Sequence, residues 1–199
     1  WSLDGERFSG AAALAAAEAT VARGSICVHR VAMGMARFYF GRPREASMHL
    51  EIARAHLDAV PSCWMVPLCH QFAALSAAAA WDELSDAERA HIRPRIEESL
   101  SALRELSGQA PINFAHRVLL VEGELHRLDG DLQGALRAFE EALTQSVANA
   151  WVVESVTAHE LLERSLRLLG RPEEAAHHHA AARTAYAAWG ARAKLDHAS

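Results

Sequence analysis

The sequence predicts an all-α fold in which antiparallel helical hairpins stack as a right-handed superhelix of about nine or ten helices. Three observations lead to this prediction. Much of the 51% hydrophobic content is alanine, which has the highest helix propensity of the amino acids. Runs of β-branched residues in strict alternation, which would indicate strands, are nearly absent. One segment, residues 113–143, reads as a complete helix-turn-helix unit, and related segments precede and follow it.

Segment 113–143 carries small and aromatic residues at regular positions. Gly123 and Ala135 are small enough for two antiparallel helices to approach closely, and Phe139 fills the space that they leave. Gly130 follows the first predicted helix, where a left-handed residue commonly ends a helix. This pattern is that of the tetratricopeptide repeat, whose period is about 34 residues. We therefore predict a close-packed hairpin of this type.

Two further segments repeat the pattern. On the N-terminal side the corresponding residues are Gly34, Gly41, Ala46 and Leu50. On the C-terminal side the turn glycine and the alanine recur as Gly170 and Ala175, whereas Glu163 and His179 replace the first small residue and the aromatic residue. An irregular unit separates the N-terminal segment from segment 113–143. Together these segments predict one helical-repeat domain over residues 1–199. The predicted repeat units cover residues 25–60, 63–107, 112–147 and 151–188.

Glycine and proline set the predicted helix boundaries in the first half of the chain. The first helix is expected over residues 6–23, with Gly24 closing it. Another helix is expected over residues 44–60, because Pro61 cannot continue the hydrogen-bond ladder. In the irregular second unit, Pro94 either kinks a long helix or begins its second half.

Charge and composition argue against several classes of partner. The net charge of −5 provides no broad positive surface for nucleic acid or anionic lipid. No apolar run approaches the roughly 18 residues that a membrane span requires. The three cysteines have spacings that match neither a disulfide framework nor a paired metal-binding motif. We therefore expect a cytoplasmic protein with reduced thiols, no cofactor, and neither nucleic acid nor membrane as a partner.

Residues with catalytic or metal-binding chemistry occur at spacings that predict no site. The histidines of the run 177–179 point about 100° apart on a helix, so they cannot jointly bind one ion. His159 and Glu163 share a helix face, but the sequence supplies no third ligand at a suitable spacing. Cys69 and His70 are adjacent, so their side chains diverge and do not form a nucleophile with its base. We therefore predict no catalytic residue and no metal site.

A concave groove is the better candidate for function, because the first helix of each repeat lines that surface in a tetratricopeptide array. Residues at spacings of three and four on these helices are expected to face the groove. They are Met35, Tyr39, Arg117, Glu124, Arg127, Glu160, Arg164 and Arg167. The four arginines would either clamp a carboxylate or peptide backbone of a ligand, or pair within the chain, for example Arg127 with Glu124 and Arg164 with Glu160.

The second half of the chain carries more specific sequence features. They are Pro111, Asn113 and Phe114, the run LLVEGELHRLDGDLQGA, and the ending WGARAKL. In these features the chain resembles the helical region of large bacterial signalling proteins that combine a serine/threonine kinase, a predicted AAA-type ATPase and often a sensor or histidine kinase. The resemblance implies a regulatory tetratricopeptide-like segment between an ATPase module and an output module.

This resemblance leads to two functional expectations. Because no kinase or ATPase motif occurs in the sequence, we expect a non-enzymatic fragment of a longer protein that binds neighbouring domains or another protein chain. The alternative is a helical repeat domain that senses a small ligand in its concave groove.

Overall fold

A computed structural model describes residues 9–197 of the chain, and they form an all-α fold without strands. This confirms the predicted fold class and the predicted number of helices. The ten helices of the described residues are α1 (Gly10–Ala19), α2 (Arg23–Tyr39), α3 (Pro43–Arg54), α4 (Met65–Ala79), α5 (Asp86–Gln109), α6 (Pro111–Leu128), α7 (Leu132–Ala148), α8 (Val152–Leu168), α9 (Pro172–Trp189) and α10 (Arg192–His197). Their arrangement as a right-handed superhelix stays a prediction.

The chain divides into two compact units, of which the first ends at Ser99 and the second begins at Leu100. In the first unit α2 packs against α3, and α3 and α2 both pack against α4. In the second unit α6 packs against α7, α7 against α8, and α8 against α9. Each unit is therefore built from consecutive helices joined by short turns, as in a stack of helical hairpins.

The same turn joins the two helices of three hairpins, α2–α3, α6–α7 and α8–α9. Gly41, Gly130 and Gly170 occupy these turns with φ values of 69°, 81° and 70°. The residue after each glycine donates its backbone N–H to a carbonyl five residues earlier, at 2.9 Å in all three turns. This hydrogen bond satisfies a carbonyl at the end of the first helix and requires a left-handed residue, a conformation that costs glycine least.

Two hairpins bring a glycine of the first helix against a large side chain of the second. A Cβ atom on Gly123 would lie 2.6 Å from Cδ1 of Phe139, and a Cβ atom on Gly34 would lie 2.9 Å from Cδ1 of Leu50. Both distances are too short for carbon atoms in contact, so the helices approach this closely only because no side chain is present. The alanines at the next repeat position, Ala46, Ala135 and Ala175, are fully buried.

The α8–α9 hairpin has a polar contact at the equivalent place. Glu163 stands where the other two hairpins have glycine, and His179 stands where they have Leu50 or Phe139. Oε2 of Glu163 lies 3.1 Å from Nδ1 of His179. The third hairpin therefore replaces an apolar contact by a hydrogen-bonded pair of ionisable side chains.

Several predicted helix boundaries in the first half of the chain are wrong. Helix α1 ends at Ala19 and the chain turns at Val21, whose φ is 52°, whereas Gly24 lies inside α2. Gly24 instead packs against the turn after α3, because a Cβ atom there would lie 3.4 Å from Cγ1 of Val60. Helix α3 ends at Arg54 and a short 3-10 turn, Leu57–Ala59, follows it. Residues 6–8 of the predicted first helix lie outside the described residues.

Helix α5 runs through Pro94 as one helix from Asp86 to Gln109. Pro94 therefore lies within a single long helix and does not begin a separate one. A capping box begins the helix, because Oγ of Ser85 accepts the N–H of Glu88 at 3.4 Å while the Glu88 carboxylate accepts the N–H of Ser85 at 2.8 Å. This capping box fixes the N-terminus of α5.

Candidate functional site

The two predicted groove residues of the first unit have different environments. Tyr39 is 8% exposed, and its ring packs edge-on against Phe38 and Phe72 at centroid distances of 5.5 and 5.6 Å. Met35 is half-buried. Tyr39 is thus part of an aromatic cluster in the core, because the face of α2 that carries it is covered by α4.

Arg117, a predicted groove residue of the second unit, is buried in an ion pair. Its Nη1 lies 2.7 Å from Oε1 of Glu154 on α8, and the side chains of the two residues are 9% and 3% exposed. A pair this far from solvent requires both partners, since either charge alone would be desolvated without compensation. Arg117 therefore joins α6 to α8.

Glu124 is the central acidic residue of the predicted groove, and it is completely buried. Its carboxylate accepts hydrogen bonds from Arg127 on the same helix, at 2.9 and 3.0 Å, and from Arg164 on α8. The Glu124–Arg127 pair is the one that the helical spacing predicts. Arg164, however, pairs with Glu124 and not with its own neighbour Glu160.

The remaining predicted groove residues, Glu160 and Arg167, also pair within the second unit. Glu160 accepts a hydrogen bond from the Tyr186 hydroxyl at 3.0 Å and lies 2.9 Å from Nζ of Lys194. Arg167 is exposed and donates two hydrogen bonds to Glu163, one turn earlier on α8. Each of the four predicted arginines thus has a carboxylate partner inside the protein, and this arrangement gives no support to an arginine clamp for a ligand.

His116 is a buried titratable residue that the sequence pattern did not single out. It is fully buried and stacks on Trp151 at a centroid distance of 5.6 Å. Neither ring nitrogen has a hydrogen-bond partner among the described residues. Burial, with a smaller contribution from the positive charge of Arg117, lowers the pKa of His116 to about 4. The ring is therefore neutral at pH 7.

Cys69 and His70 have the properties of core residues. Cys69 is fully buried, and burial raises the pKa of its thiol to about 12. Burial, with a contribution from Arg54, lowers the pKa of His70 to about 4. A thiol is nucleophilic only as thiolate, so this pair is poorly suited to nucleophilic chemistry at neutral pH.

Helix packing brings His159 and His178 together, which the sequence alone did not predict. Their Nδ1 atoms lie 2.9 Å apart across the α8–α9 hairpin. Burial, with smaller contributions from the neighbouring His178 and His177, lowers the pKa of His159 to about 4. Among the side chains that the structure describes, no group of three or more His, Cys, Asp and Glu residues is placed to hold a metal ion.

A groove in the first unit lies between α3, α4 and α5. It consists of two adjoining cavities of about 280 and 230 Å³ that share Ser47, Glu51, Ala77 and Ile92. We call it the α3–α5 groove. Its lining includes the apolar side chains of Leu84 and Ile96, which are almost fully buried. The groove therefore has an apolar floor.

Met48 lies at the edge of the α3–α5 groove and is 68% exposed. Ile52, one turn further along α3, is 39% exposed. These two large apolar side chains, one turn apart, leave apolar area on the surface of α3 that the protein itself does not cover. A thioether side chain also adapts readily to the shape of a partner.

Ion pairs form the rim of the α3–α5 groove. Three of these pairs join α3 to α5, namely Arg44 with Glu88 at 3.0 Å, Arg54 with Glu98 at 3.0 Å, and Arg95 with Glu51. Arg54 also pairs with Glu51 on its own helix at 3.1 Å. Because each of these charges has a partner, the groove presents an apolar floor with a rim of little net charge.

A scan against protein-family models finds no match, and a search of curated proteins finds no similar sequence. No helix among the described residues has the length and apolar character that crossing a membrane requires.

Proposed function

We propose that the chain is a protein-interaction module of tetratricopeptide-like hairpins that binds an amphipathic helix of a partner protein in the α3–α5 groove. The observation that carries this proposal is the exposed Met48 beside an apolar floor with an ion-paired rim. A binding surface that is apolar at its centre and polar at its edge is the usual arrangement of a protein interface.

The chemistry of the groove favours a helix over a charged ligand. The arginines at the rim, Arg44, Arg54 and Arg95, already have carboxylate partners. Displacing them with the charges of a ligand would break existing pairs, whereas burying Met48 and Ile92 needs only apolar area. A helix with apolar residues at spacings of three and four supplies that area along one stripe.

The resemblance of the second half of the chain to bacterial signalling proteins supports a choice of partner. We propose that the helix belongs to a neighbouring module of the same multidomain protein, such as its ATPase or output module, or to another chain of the pathway. On this proposal the chain is cytoplasmic and non-enzymatic, and it regulates its neighbours by binding them.

The test is binding of the purified chain to each neighbouring module of its parent protein, measured by isothermal titration calorimetry. Met48→Glu places a charge on the edge of the groove at a site that is 68% exposed, so the fold tolerates it. We expect this variant to bind at least tenfold more weakly, because a charge would be desolvated on binding. The matched control is Val147→Glu on α7, where the native side chain is 64% exposed.

The proposal fails if no neighbouring module binds the wild-type chain. It also fails if Met48→Glu and Val147→Glu weaken binding equally, since the binding surface would then lie elsewhere. Circular dichroism of both variants checks that their helix content is unchanged.

A further inference from the structure

A second cavity, of about 230 Å³, lies in the C-terminal unit between α8, α9 and α10. Six polar side chains contribute to its lining: Glu160, Glu163, His179, Arg183, Tyr186 and Lys194. We call it the α8–α10 cavity. It is a polar cavity, in contrast to the groove of the first unit, and it is independent of the proposed protein-binding function.

The α8–α10 cavity lies where the third hairpin departs from the repeat pattern. In the other two hairpins the space between the helices is filled by Leu50 against Gly34 or by Phe139 against Gly123. Glu163 replaces the glycine here, and its carboxylate lies 3.1 Å from His179. The substitution converts a dry apolar contact into a cavity wall with hydrogen-bonding groups.

The carboxylates of the cavity are held in place by neighbouring side chains. Oε1 of Glu160 accepts the Tyr186 hydroxyl at 3.0 Å and lies 2.9 Å from Nζ of Lys194. Nζ of Lys194 also lies 5.4 Å from the centroid of the Tyr186 ring. Arg167 donates to Glu163 at 2.8 Å. These contacts fix the carboxylates before a ligand arrives, which lowers the entropy cost of binding.

Arg183 is a cation of the cavity lining that has unused hydrogen-bonding capacity. Its Nη1 donates to the carbonyl of Leu195 at 3.5 Å, which is a long hydrogen bond. No carboxylate of the described residues forms an ion pair with it. A guanidinium presents five N–H donors in a planar fork that matches a carboxylate. Arg183 is therefore suited to bind the carboxylate of a ligand.

The charges around the cavity select a ligand that carries both signs. Glu160 and Glu163 bring negative charge to the lining, and Arg183 and Lys194 bring positive charge, so a ligand that carries both signs has a partner for each of its charges. The volume is below the roughly 300 Å³ at which pockets for drug-sized ligands begin. We propose that the α8–α10 cavity binds a small zwitterion of the α-amino acid class, with its carboxylate on Arg183 and its ammonium group on Glu160 and Glu163.

The first experiment measures the melting temperature of the full chain with each of the twenty common L-amino acids. Succinate, inorganic phosphate and butylamine serve as probes that carry charge of one sign only. We expect at least one amino acid to raise the melting temperature by roughly 3–6 °C at ten times its dissociation constant. The single-sign probes should give no comparable rise. Stabilisation by no amino acid, or equal stabilisation by a single-sign probe, overturns the proposal.

The second experiment locates the site by calorimetry with the most stabilising amino acid. Arg183→Gln should weaken binding at least tenfold, whereas Arg192→Gln, which changes an exposed arginine outside the cavity lining, should leave it unchanged. The double variant Glu163→Gly with His179→Leu restores the apolar pair of the first hairpin and should abolish binding. Binding that persists in Arg183→Gln and in the double variant places the ligand elsewhere and overturns the proposal.

Discussion

Glu124 shows how the interior of the C-terminal unit depends on paired charges. Its carboxylate is fully buried and accepts hydrogen bonds from Arg127 and Arg164, so it joins α6 to α8. Burying charges in this way need not add net stability compared with an apolar contact. Removal of one partner is nevertheless costly, because the remaining charges stay buried without compensation.

Glu124→Gln is therefore expected to destabilise the protein strongly, by roughly 3–5 kcal/mol in the free energy of unfolding. The control is Glu122→Gln on the same helix, where the native carboxylate pairs with Arg104 at 2.7 Å and the arginine side chain is 59% exposed. Its expected cost is at most about 1 kcal/mol. Urea unfolding at pH 7 measures both values, and equal costs for the two variants would contradict this view of Glu124.

His116 predicts how stability depends on pH. Its pKa is about 4 in the folded protein, whereas the ordinary value is 6.5, because burial disfavours the charged ring. The unfolded chain therefore binds a proton at a higher pH than the folded protein does. The contribution of His116 to stability is fully present above about pH 6.5, and it is lost as the pH falls from there towards 4.

His116→Phe should reduce this pH dependence, because phenylalanine keeps an aromatic ring against Trp151 but does not titrate. One proton taken up on unfolding gives a limiting slope of about 1.4 kcal/mol per pH unit. Part of the slope should remain, since burial lowers the pKa of His70 and of His159 to about 4 as well. Urea unfolding at pH 7, 6 and 5 tests this, and an identical slope in both proteins would exclude His116 as a contributor.

Only the local part of the charge network could be predicted from the sequence. Glu124 and Arg127 are three residues apart, and helical spacing alone places them on neighbouring positions of one helix. The pairing of Glu124 with Arg164, and of Arg117 with Glu154, depends on how α6 packs against α8. That information is tertiary, and the sequence spacing of these partners does not contain it.

At the scale of the helix, Gly123 determines how closely α6 and α7 approach. An alanine in a helix interior is normally more stable than a glycine by about 1 kcal/mol. At Gly123 alanine should instead lower the stability, because its Cβ atom would overlap the ring of Phe139. We expect Gly123→Ala to cost roughly 1–3 kcal/mol.

The matched control for Gly123→Ala is Gly108→Ala near the end of α5. Apart from its own stretch of helix, nothing among the described residues would lie within 4 Å of a Cβ atom at this position, so the substitution should be neutral or stabilising. Thermal and urea unfolding of the two variants give the comparison. A stabilising effect of Gly123→Ala would show that the close approach of α6 and α7 is not required.

The turns between helices could be predicted where glycine adopts a left-handed conformation. Gly41, Gly130 and Gly170 all do so. The end of α1 could not be found in this way, because the chain turns at Val21, a residue that rarely adopts a positive φ. Gly24 resembled a helix end in the sequence but lies inside α2, against the turn that follows α3. A glycine in a sequence therefore indicates either a turn or a close contact, and only the structure separates the two.

At the scale of the molecule, we assign a proposed binding role to one site in each unit. The α3–α5 groove of the first unit is apolar with a paired rim, and the α8–α10 cavity of the second is polar and carries both signs of charge. Neither site could be found from the sequence, because each is lined by residues of three helices. The sequence pattern instead predicted arginines as groove residues, and in the structure these arginines form internal ion pairs.

The measurement that tests the proposed function most directly is a nuclear magnetic resonance titration of the ¹⁵N-labelled chain with the neighbouring module that binds it most tightly. We predict that the largest amide shifts fall on residues of the α3–α5 groove, including Ser47, Met48, Glu51, Ala77 and Ile92, and that Met48→Glu removes them at the same module concentration. Shifts confined to the second unit, or the absence of shifts with every neighbouring module, would contradict the proposal that this groove binds a partner helix.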